Sequence, residues 1–209
     1  DSLSDEVDQT TANAGDGFQI WKSHWYVESD RLGRIAVGRE SRASDTAPER
    51  DLSETGVAGY AGVQDMGGGF LLRTTDGALA DLTWGDLGNH FNGDTADLVR
   101  WDSPEFMGFI VTATWGSDDI WDVGLAYGGE GHGFKLEAAI AYSEVSDAPS
   151  DFADVDHATV VGSASLLHEA TGLNATIAAG ERRFDATAID ADNIARTPAD
   201  ARFIYAKLG

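Results

Sequence analysis

The sequence predicts an all-β protein built from antiparallel strands, and three observations support this fold class. Apolar residues alternate with polar or small residues at a period of two in segment after segment, as they do in strands with two unlike faces. Gly is abundant and Pro is rare, with 25 and 4 of the 209 residues, which suits many tight turns. A hydrophobic content of 42%, with six Trp, favours a folded chain over the disorder that a very acidic composition suggests.

The first strands are predicted at 18–29 and 33–42, and a third follows a long gap at 97–102. Lys22 and His24 lie on one face of the first segment, and Arg100 lies on the corresponding face of the third. The opposite, apolar faces carry Trp21, Trp25, Val27, Ile35, Val37, Val99 and Trp101. Each segment therefore has one face suited to an apolar environment and one suited to water.

The middle strands are predicted at 109–115, 120–127 and 134–144. Their apolar faces are made of Phe109, Val111, Ala113, Trp115, Trp121, Val123, Leu125, Tyr127, Phe134, Leu136, Ala138, Ile140 and Tyr142. Asp122, Lys135 and Glu137 point the other way. Taken alone, residues 136–142 also fit a short amphipathic helix, but their neighbours all alternate like strands.

The last strands are predicted at 157–167, 173–184 and 201–208. Their apolar faces are marked by Val160, Gly162, Ala164, Leu166, Leu173, Ala175, Ile177, Ala179, Phe203 and Tyr205. Small residues dominate the opposite faces, with Arg182 among them. Small and polar side chains on a regular face suit a water-filled lumen.

Two kinds of connection alternate between these segments. Short ones rich in Gly or Pro lie at 103–105, 128–133 and 168–172, whereas acidic and mostly longer ones lie at 116–119, 145–156 and 185–200. Outer-membrane barrels sort their connections in this way and carry aromatic residues near their strand ends. The sequence therefore predicts a transmembrane antiparallel β-barrel, with a soluble β-sandwich as the alternative. Because bacterial single-chain barrels normally have an even number of strands, the nine segments predict further strands at both ends.

Composition argues against several classes of function. The net charge is -22, from 36 acidic and 14 basic residues, which is unsuited to binding nucleic acid. The chain has no Cys, so disulfides, thiolate metal sites and Cys nucleophiles are excluded. No apolar run approaches the ~20 residues of a membrane-spanning helix. The sequence contains neither H-E-x-x-H nor G-x-S-x-G, and we expect no enzymatic activity.

Cofactors are not expected either. Residues 154–157 (Asp-Val-Asp-His) and 190–193 (Asp-Ala-Asp-Asn) resemble fragments of Ca²⁺ loops. Neither fragment completes an EF-hand pattern, so we expect at most weak Ca²⁺ binding by loop carboxylates. Residues 129–133 (Gly-Glu-Gly-His-Gly) lack the strand-to-helix setting of a phosphate loop and predict a turn.

Several motifs resemble those of a known family. Residues 98–109 (Leu-Val-Arg-Trp-Asp-Ser-Pro-Glu-Phe-Met-Gly-Phe) resemble the strand–turn–strand signature of Gram-negative general porins, an R-(aromatic)-D-S-P-x-F-x-G-F run that follows the constriction loop. Residues 22–29 and 32–39 are similar to the preceding strand pair, most closely to that of the alphaproteobacterial branch. Residues 172–176 and 203–209 fit later strands, so the resemblance extends from about residue 16 to residue 209.

The resemblance implies a sixteen-stranded barrel that assembles as a homotrimer in the bacterial outer membrane, in contact with membrane lipid and lipopolysaccharide. It implies a water-filled channel for passive diffusion of small hydrophilic solutes and ions. Residues 1–209 would form a single, partial barrel domain that starts in the second external loop and ends near the twelfth strand.

The resemblance also implies that residues 43–96 form a constriction loop, whose carboxylates face basic residues on the wall across the lumen. The acids of this loop are Asp45, Glu49, Asp51, Glu54, Asp65, Asp76, Asp81, Asp86 and Asp94, of which we favour Asp81, Asp86 and Asp94 because they lie nearest the signature strand. The predicted basic residues are Lys22, Arg39, Arg42 and Arg100, with His24 as a weaker member. Arg39 shares its parity with Ile35 and Val37, so a bulge would be needed to turn it to the lumen.

Two other classes of function stay open at this stage. One is an acidic secreted or surface β-sandwich that binds partners or builds a surface layer, with Ca²⁺ as a cofactor. The other is an outer-membrane enzyme barrel, which would need a Ser/His pair facing the lipid or the lumen. A porin requires detergent for extraction and a secreted sandwich does not, so extraction separates the first of these from the porin.

Overall fold

The structure is a computed structural model that describes residues 20–56, 69–83, 91–117, 119–146, 156–185, 188–189, 195–196 and 199–209. Within these ranges the chain is all-β, and a single 3₁₀ turn at Ala47–Glu49 is the only helical element. Among these residues, no helix has the length and apolar character that crossing a bilayer would require. The strands are β1 (Ser23–Ser29), β2 (Gly33–Ser41), β3 (Leu71–Arg73), β4 (Leu79–Thr83), β5 (Thr95–Asp102), β6 (Phe109–Gly116), β7 (Ile120–Gly131), β8 (Phe134–Val145), β9 (His157–His168), β10 (Asn174–Phe184), β11 (Ala188–Ile189), β12 (Ala195–Arg196) and β13 (Ala201–Leu208).

Nine strands form one antiparallel sheet in the order β1-β2-β5-β6-β7-β8-β9-β10-β13. Each strand pairs with the strands that precede and follow it, and each of the nine predicted segments coincides with one of them. The hairpins β3-β4 and β11-β12 lie within the two longest connections and form small sheets of their own. The prediction placed the start of the first strand too early, because residues 20–22 are not in β1; residues 18 and 19 lie outside the described ranges.

The turn between β7 and β8 is shorter than the sequence predicts. The strands continue until Gly131 pairs with Phe134, so only His132 and Gly133 form the loop. Their φ angles are 54° and 79°, and two residues with positive φ are what the favoured two-residue hairpin turn requires. The Gly-rich run 128–131 therefore extends β7 instead of forming a loop.

One face of the sheet is apolar and exposed, as the alternation predicts. The exposed fractions range from 37% to 55% for Trp121, Val123, Leu125, Phe134, Leu136, Ile140 and Ile177. The same face continues across β1, β2, β5 and β6 through Trp25, Val27, Ile35, Val99, Trp101, Val111 and Trp115. Apolar patches of this extent mark a surface that contacts protein or lipid.

The other face is polar but largely buried. Its residues Thr112, Thr114, Asp122, Ser143, Thr159, Ser163, Ser165 and Thr176 are each 8% exposed or less. They are buried because part of the connection between β2 and β5 lies over them. A small apolar cluster forms at the same place from Ala47, Phe91, Ala141 and Val161.

The last strand departs from the predicted pattern. Phe203 lies opposite Gly180 and Lys207 lies opposite Thr176, so Phe203, Tyr205 and Lys207 are on the polar face. Phe203 packs against the ring of Phe91, with the ring centroids 5.3 Å apart in an edge-to-face geometry. Its aromatic side chain therefore packs against the apolar cluster on the polar face and does not belong to the exposed apolar face.

The nine-stranded sheet is open. Within the described residues, β1 pairs only with β2, and β13 pairs only with β10. Each outer strand thus has one edge whose backbone groups have no partner strand among these residues. The structure shows a large antiparallel sheet and does not show a closed barrel.

Candidate functional site

Residues 42–56, called here the crossing segment, run across the polar face from β7 to β13. Ser163 Oγ in β9 donates a hydrogen bond to Ala47 O (2.6 Å) and accepts one from Arg50 N (2.9 Å). Leu52 N donates to Ser165 Oγ, also at 2.9 Å. Hydroxyl groups of the sheet thus satisfy backbone groups of a segment that has no strand partner, and they hold it against the sheet.

The crossing segment begins at a buried ion pair. Arg42 donates from Nε to both oxygens of Asp122 (3.2 and 3.1 Å) and from Nη2 to Oδ1 (2.6 Å). The same Nη2 also donates to Ser143 Oγ at 2.7 Å. Ser44 adds hydrogen bonds from its backbone N (3.1 Å) and its hydroxyl to Asp122 Oδ2. Asp122 is only 1% exposed, and this set of donors compensates the burial of its charge.

The far end of the segment is fixed by Asp51 and Lys207. Lys207 Nζ forms an ion pair with Asp51 Oδ2 and donates to Ser53 Oγ (2.7 Å) and Thr55 Oγ1 (3.1 Å). Burial alone would raise the pKa of Asp51, but the hydrogen bonds from Lys207 and Ser53 lower it below the ordinary value of 3.8. The carboxylate form of Asp51 is therefore the form that holds the end of the segment in place.

Aromatic packing and amide hydrogen bonds support the middle of the segment. Arg182 lies over the ring of Phe91, 4.7 Å from its centroid, and its Nε donates to Thr159 Oγ1 at 3.0 Å. Asn92 Nδ2 donates to Asp45 Oδ1 and to Glu49 Oε1, both at 3.1 Å. Burial raises the pKa of Asp45 although hydrogen bonds from Ser41 and Asn92 oppose the shift.

Glu40 is the centre of a basic cluster on β1 and β2. Its carboxylate lies 3.2 Å from Lys22 Nζ, 3.0 Å from His24 Nε2 and 3.5 Å from Arg34 Nη2. On the neighbouring β5, Arg100 forms a bidentate pair with Asp102 and donates from Nη1 to Ser41 O at 3.0 Å. The part of the sheet beside the crossing segment is therefore rich in bases that are already held by carboxylates.

Two cavities flank the crossing segment. Their volumes are about 290 Å³ and about 750 Å³. The linings of the two cavities share five residues, which are Arg34, Arg50, Arg100, Thr112 and Ala126. Three arginines therefore lie where the two cavities adjoin.

Three of the predicted wall bases lie at this site. Lys22 and Arg100 are in the lining of the smaller cavity, and Arg42 starts the crossing segment. Arg39 does not join them. The register of β2 with β1 and β5 is continuous from Gly33 to Arg39, so no bulge turns Arg39 from the exposed face that it shares with Ile35 and Val37.

Of the three favoured loop acids, Asp94 is the one whose side chain lies within the described residues. Asp94 is exposed and accepts a hydrogen bond from the adjacent Thr95 N (2.6 Å). The backbone of Asp81 lies in β4, whereas its side chain and the whole of Asp86 lie outside the described residues. Among the described residues, Asp45 and Asp51 lie against the sheet, where they accept hydrogen bonds from Ser41 and Thr176. The sequence includes both among the loop acids without singling them out.

Arg50 and Lys207 were missed by the sequence-based prediction of the site. Arg50 belongs to the loop, where the prediction looked for acids alone, and Lys207 lies on the strand whose faces were assigned the wrong way round. The parity of Lys207 with Phe203 was visible in the sequence. Its partner Asp51 is 156 residues away, and no local pattern connects the two.

The described residues contain no group of three or more His, Asp or Glu that could hold a metal ion. Residues 154–155 and 190–193 of the Ca²⁺-like fragments lie outside the described ranges. Comparison with known proteins gives no match to a protein-family model, to a curated protein or to a solved structure. The geometry of the chain itself is therefore the basis for assigning a function.

Proposed function

We propose that this chain forms part of the wall of an outer-membrane porin, in which small hydrophilic solutes and ions diffuse passively past the crossing segment. The observation that carries the proposal is the pairing of an exposed apolar face with a polar face that is crossed by an anchored, charged segment. A water-filled lumen surrounded by lipid requires the two faces to differ in this way.

Strand length supports the same proposal. Strands β7, β8 and β9 each contain 12 residues, and β10 contains 11. A tilted strand needs about 9–11 residues to cross the hydrocarbon core of a bilayer. The central strands are therefore long enough to span a membrane with their apolar face toward the lipid.

A porin of this kind requires partner strands for the two open edges of the sheet. Unpaired backbone groups in lipid cost several kcal/mol each, so β1 and β13 must pair with further strands for the barrel to close. We include in the proposal a closed barrel that assembles as a homotrimer, with membrane lipid and lipopolysaccharide around it. The crossing segment would then narrow the lumen from the inside.

Membrane extraction followed by planar-bilayer recording tests the proposed function. We expect the full-length protein to remain with outer membranes through alkaline and urea washes and to require detergent for release. The purified protein should then produce stepwise increases in conductance in a planar bilayer. Release by the washes would favour the secreted β-sandwich, and a detergent-purified, folded protein without conductance would contradict the porin.

A further inference from the structure

Arg50 differs from Arg42, Arg100 and Lys207 in having no acidic partner. Within the described residues, its guanidinium forms no ion pair and no hydrogen bond, and its Nε is buried. Arg42, Arg100 and Lys207 are each held by a carboxylate. A buried N–H donor without an acceptor costs free energy, and no carboxylate of the described residues compensates the charge of Arg50.

Arg34 has a second buried donor of the same kind and lines the same two cavities. Its Nη2 is occupied by His24 (2.9 Å) and Glu40 (3.5 Å), but its Nε is also buried and has no partner. Arg34 and Arg50 each line both cavities. Two positively charged side chains, each with a buried Nε that has no hydrogen-bond partner, therefore lie where the cavities adjoin.

We propose that Arg50 and Arg34 form a binding subsite for one oxyanion group, a carboxylate or a phosphate, on a solute that passes the crossing segment. This inference rests on the proposed function and adds a solute class to it. Guanidinium groups bind such oxyanions through short, charge-assisted hydrogen bonds. The porin resemblance assigns acids to the loop and bases to the wall, whereas here the loop itself contributes the base.

The surroundings favour a small solute with a single anionic group. The larger cavity, of about 750 Å³, can hold a molecule of several carbon atoms. Its lining also includes the acidic residues Glu28, Asp30, Asp102, Glu105 and Glu137. These repel a second negative charge, so an oxyanion would be bound at the arginines while the rest of the solute stays neutral or positive.

Single-channel recording of the full-length protein tests the subsite. Chloride current is measured at fixed pH and ionic strength while chloride is replaced stepwise by acetate in one series and by inorganic phosphate in another. We expect the current of the wild type to fall along a saturating curve, because a bound oxyanion delays chloride. Arg50→Gln should raise the half-saturating concentration about tenfold or more, as expected for a lost charge-assisted hydrogen bond.

Arg73→Gln is the matched control. Arg73 is an exposed arginine of the same loop, and its Nη1 donates to Gly77 O at 2.8 Å. The control removes the same charge from residues 43–96 but should leave the half-saturating concentration unchanged. The series in which saturation occurs at lower concentration identifies carboxylate or phosphate as the preferred group.

Equal half-saturating concentrations in the wild type, Arg50→Gln and Arg73→Gln would overturn the subsite while leaving the channel in place. If Arg50→Gln gives no channels, the same recording is made with Arg50→Lys. This variant keeps the positive charge but loses the paired N–H donors of the guanidinium group. An increased half-saturating concentration supports the subsite, and an unchanged one overturns it. A wild type that forms no channels would contradict the proposed function instead.

Discussion

At the scale of single residues, the buried polar face is held together by hydroxyl groups and ion pairs. Ser163 and Ser165 accept hydrogen bonds from the backbone of the crossing segment, and Ser143 accepts one from Arg42. Small hydroxyl side chains allow a chain without strand partners to lie close to the sheet and still satisfy its N–H groups. The same reasoning explains why Asp122 can be almost fully buried, since five hydrogen bonds converge on its carboxylate.

Arg42→Met tests the ion pair at the start of the crossing segment. The substitution leaves the buried Asp122 without its cationic partner, and breaking a buried pair on one side costs about 3–5 kcal/mol. We expect a corresponding loss in the free energy of unfolding, measured by urea unfolding of the detergent-solubilised protein with tryptophan fluorescence as the signal.

Lys135→Met is the control for this variant. Lys135 lies 3.5 Å from Glu169 and 3.9 Å from Glu130, and its side chain is 43% exposed. Exposed pairs contribute about 0–1 kcal/mol, so the control should be nearly neutral. Equal effects of the two substitutions would mean that Arg42 and Asp122 do not form the buried pair described above.

Asp51 makes the attachment of the crossing segment dependent on pH. Because the folded state lowers the pKa of Asp51 below 3.8, the stabilisation is complete above the ordinary pKa and is lost as the pH falls through the lower, folded value. Asp51→Asn should therefore reduce the free energy of unfolding by a constant amount between about pH 5 and 7, and by progressively less below about pH 4.

Urea unfolding at a series of pH values measures this difference between Asp51→Asn and the wild type. Lys207→Met provides the control, because it removes the donor that lowers the pKa of Asp51. The free energy of unfolding of Lys207→Met is compared with that of the double variant Lys207→Met/Asp51→Asn. The difference between these two values should vary less with pH than the difference between the wild type and Asp51→Asn. A difference between wild type and Asp51→Asn that stays constant down to about pH 2 would contradict the assigned role of the carboxylate.

At the scale of the elements, the crossing segment and β7 approach each other so closely that a side chain is excluded. A Cβ placed on Gly124 would lie 2.8 Å from Ala43 O. By contrast, a Cβ on Gly128, on the same strand and face, would meet nothing within 4 Å. The absence of a side chain at Gly124 therefore determines how the segment packs on the sheet.

Gly124→Val should dislodge the start of the crossing segment. Val favours a strand, so the sheet should persist, while the overlap with Ala43 costs about 1–3 kcal/mol. We expect limited trypsin digestion to cleave after Arg50 faster than in the wild type, with the fragments identified by mass spectrometry. Gly128→Val should be cleaved at the wild-type rate, and equal rates for the two variants would count against the close approach.

The elements differ in how far the sequence predicts them. The nine strands of the sheet follow from period-two alternation, which is a property of adjacent residues. The path of the crossing segment does not follow from any such pattern, because several of its hydrogen bonds join residues more than 100 positions apart, such as Arg50 and Ser163. Phe203 shows the same limit, since its face depends on the presence of Phe91 and not on its neighbours in β13.

At the scale of the whole molecule, the net charge is strongly negative although arginines cluster beside the crossing segment. The chain carries a net charge of -22, yet the cavities beside the crossing segment adjoin at Arg34, Arg50 and Arg100. The family resemblance predicts a charged constriction with Lys22, Arg39, Arg42 and Arg100 as its bases, and all of these except Arg39 lie beside the crossing segment. Proximity along the chain favoured Asp81, Asp86 and Asp94 over Asp45 and Asp51. Which acids reach the sheet depends on how the loop folds, and composition contains no information on that path.

The two faces of the sheet provide the last prediction, which concerns the assembled protein in its membrane. Leu125 lies at the centre of β7 on the apolar face and is 40% exposed. If that face contacts lipid, Leu125→Arg costs about 2–4 kcal/mol because a charge enters the middle of the bilayer. Gly128→Arg introduces the same charge on the other face, where the larger cavity has room for it and Glu137 is its cross-strand neighbour. We expect Leu125→Arg to reduce sharply the yield of folded protein in outer membranes, measured on gels of unheated samples, and Gly128→Arg to keep the wild-type yield. Equal yields would mean that the apolar face is covered by something other than lipid.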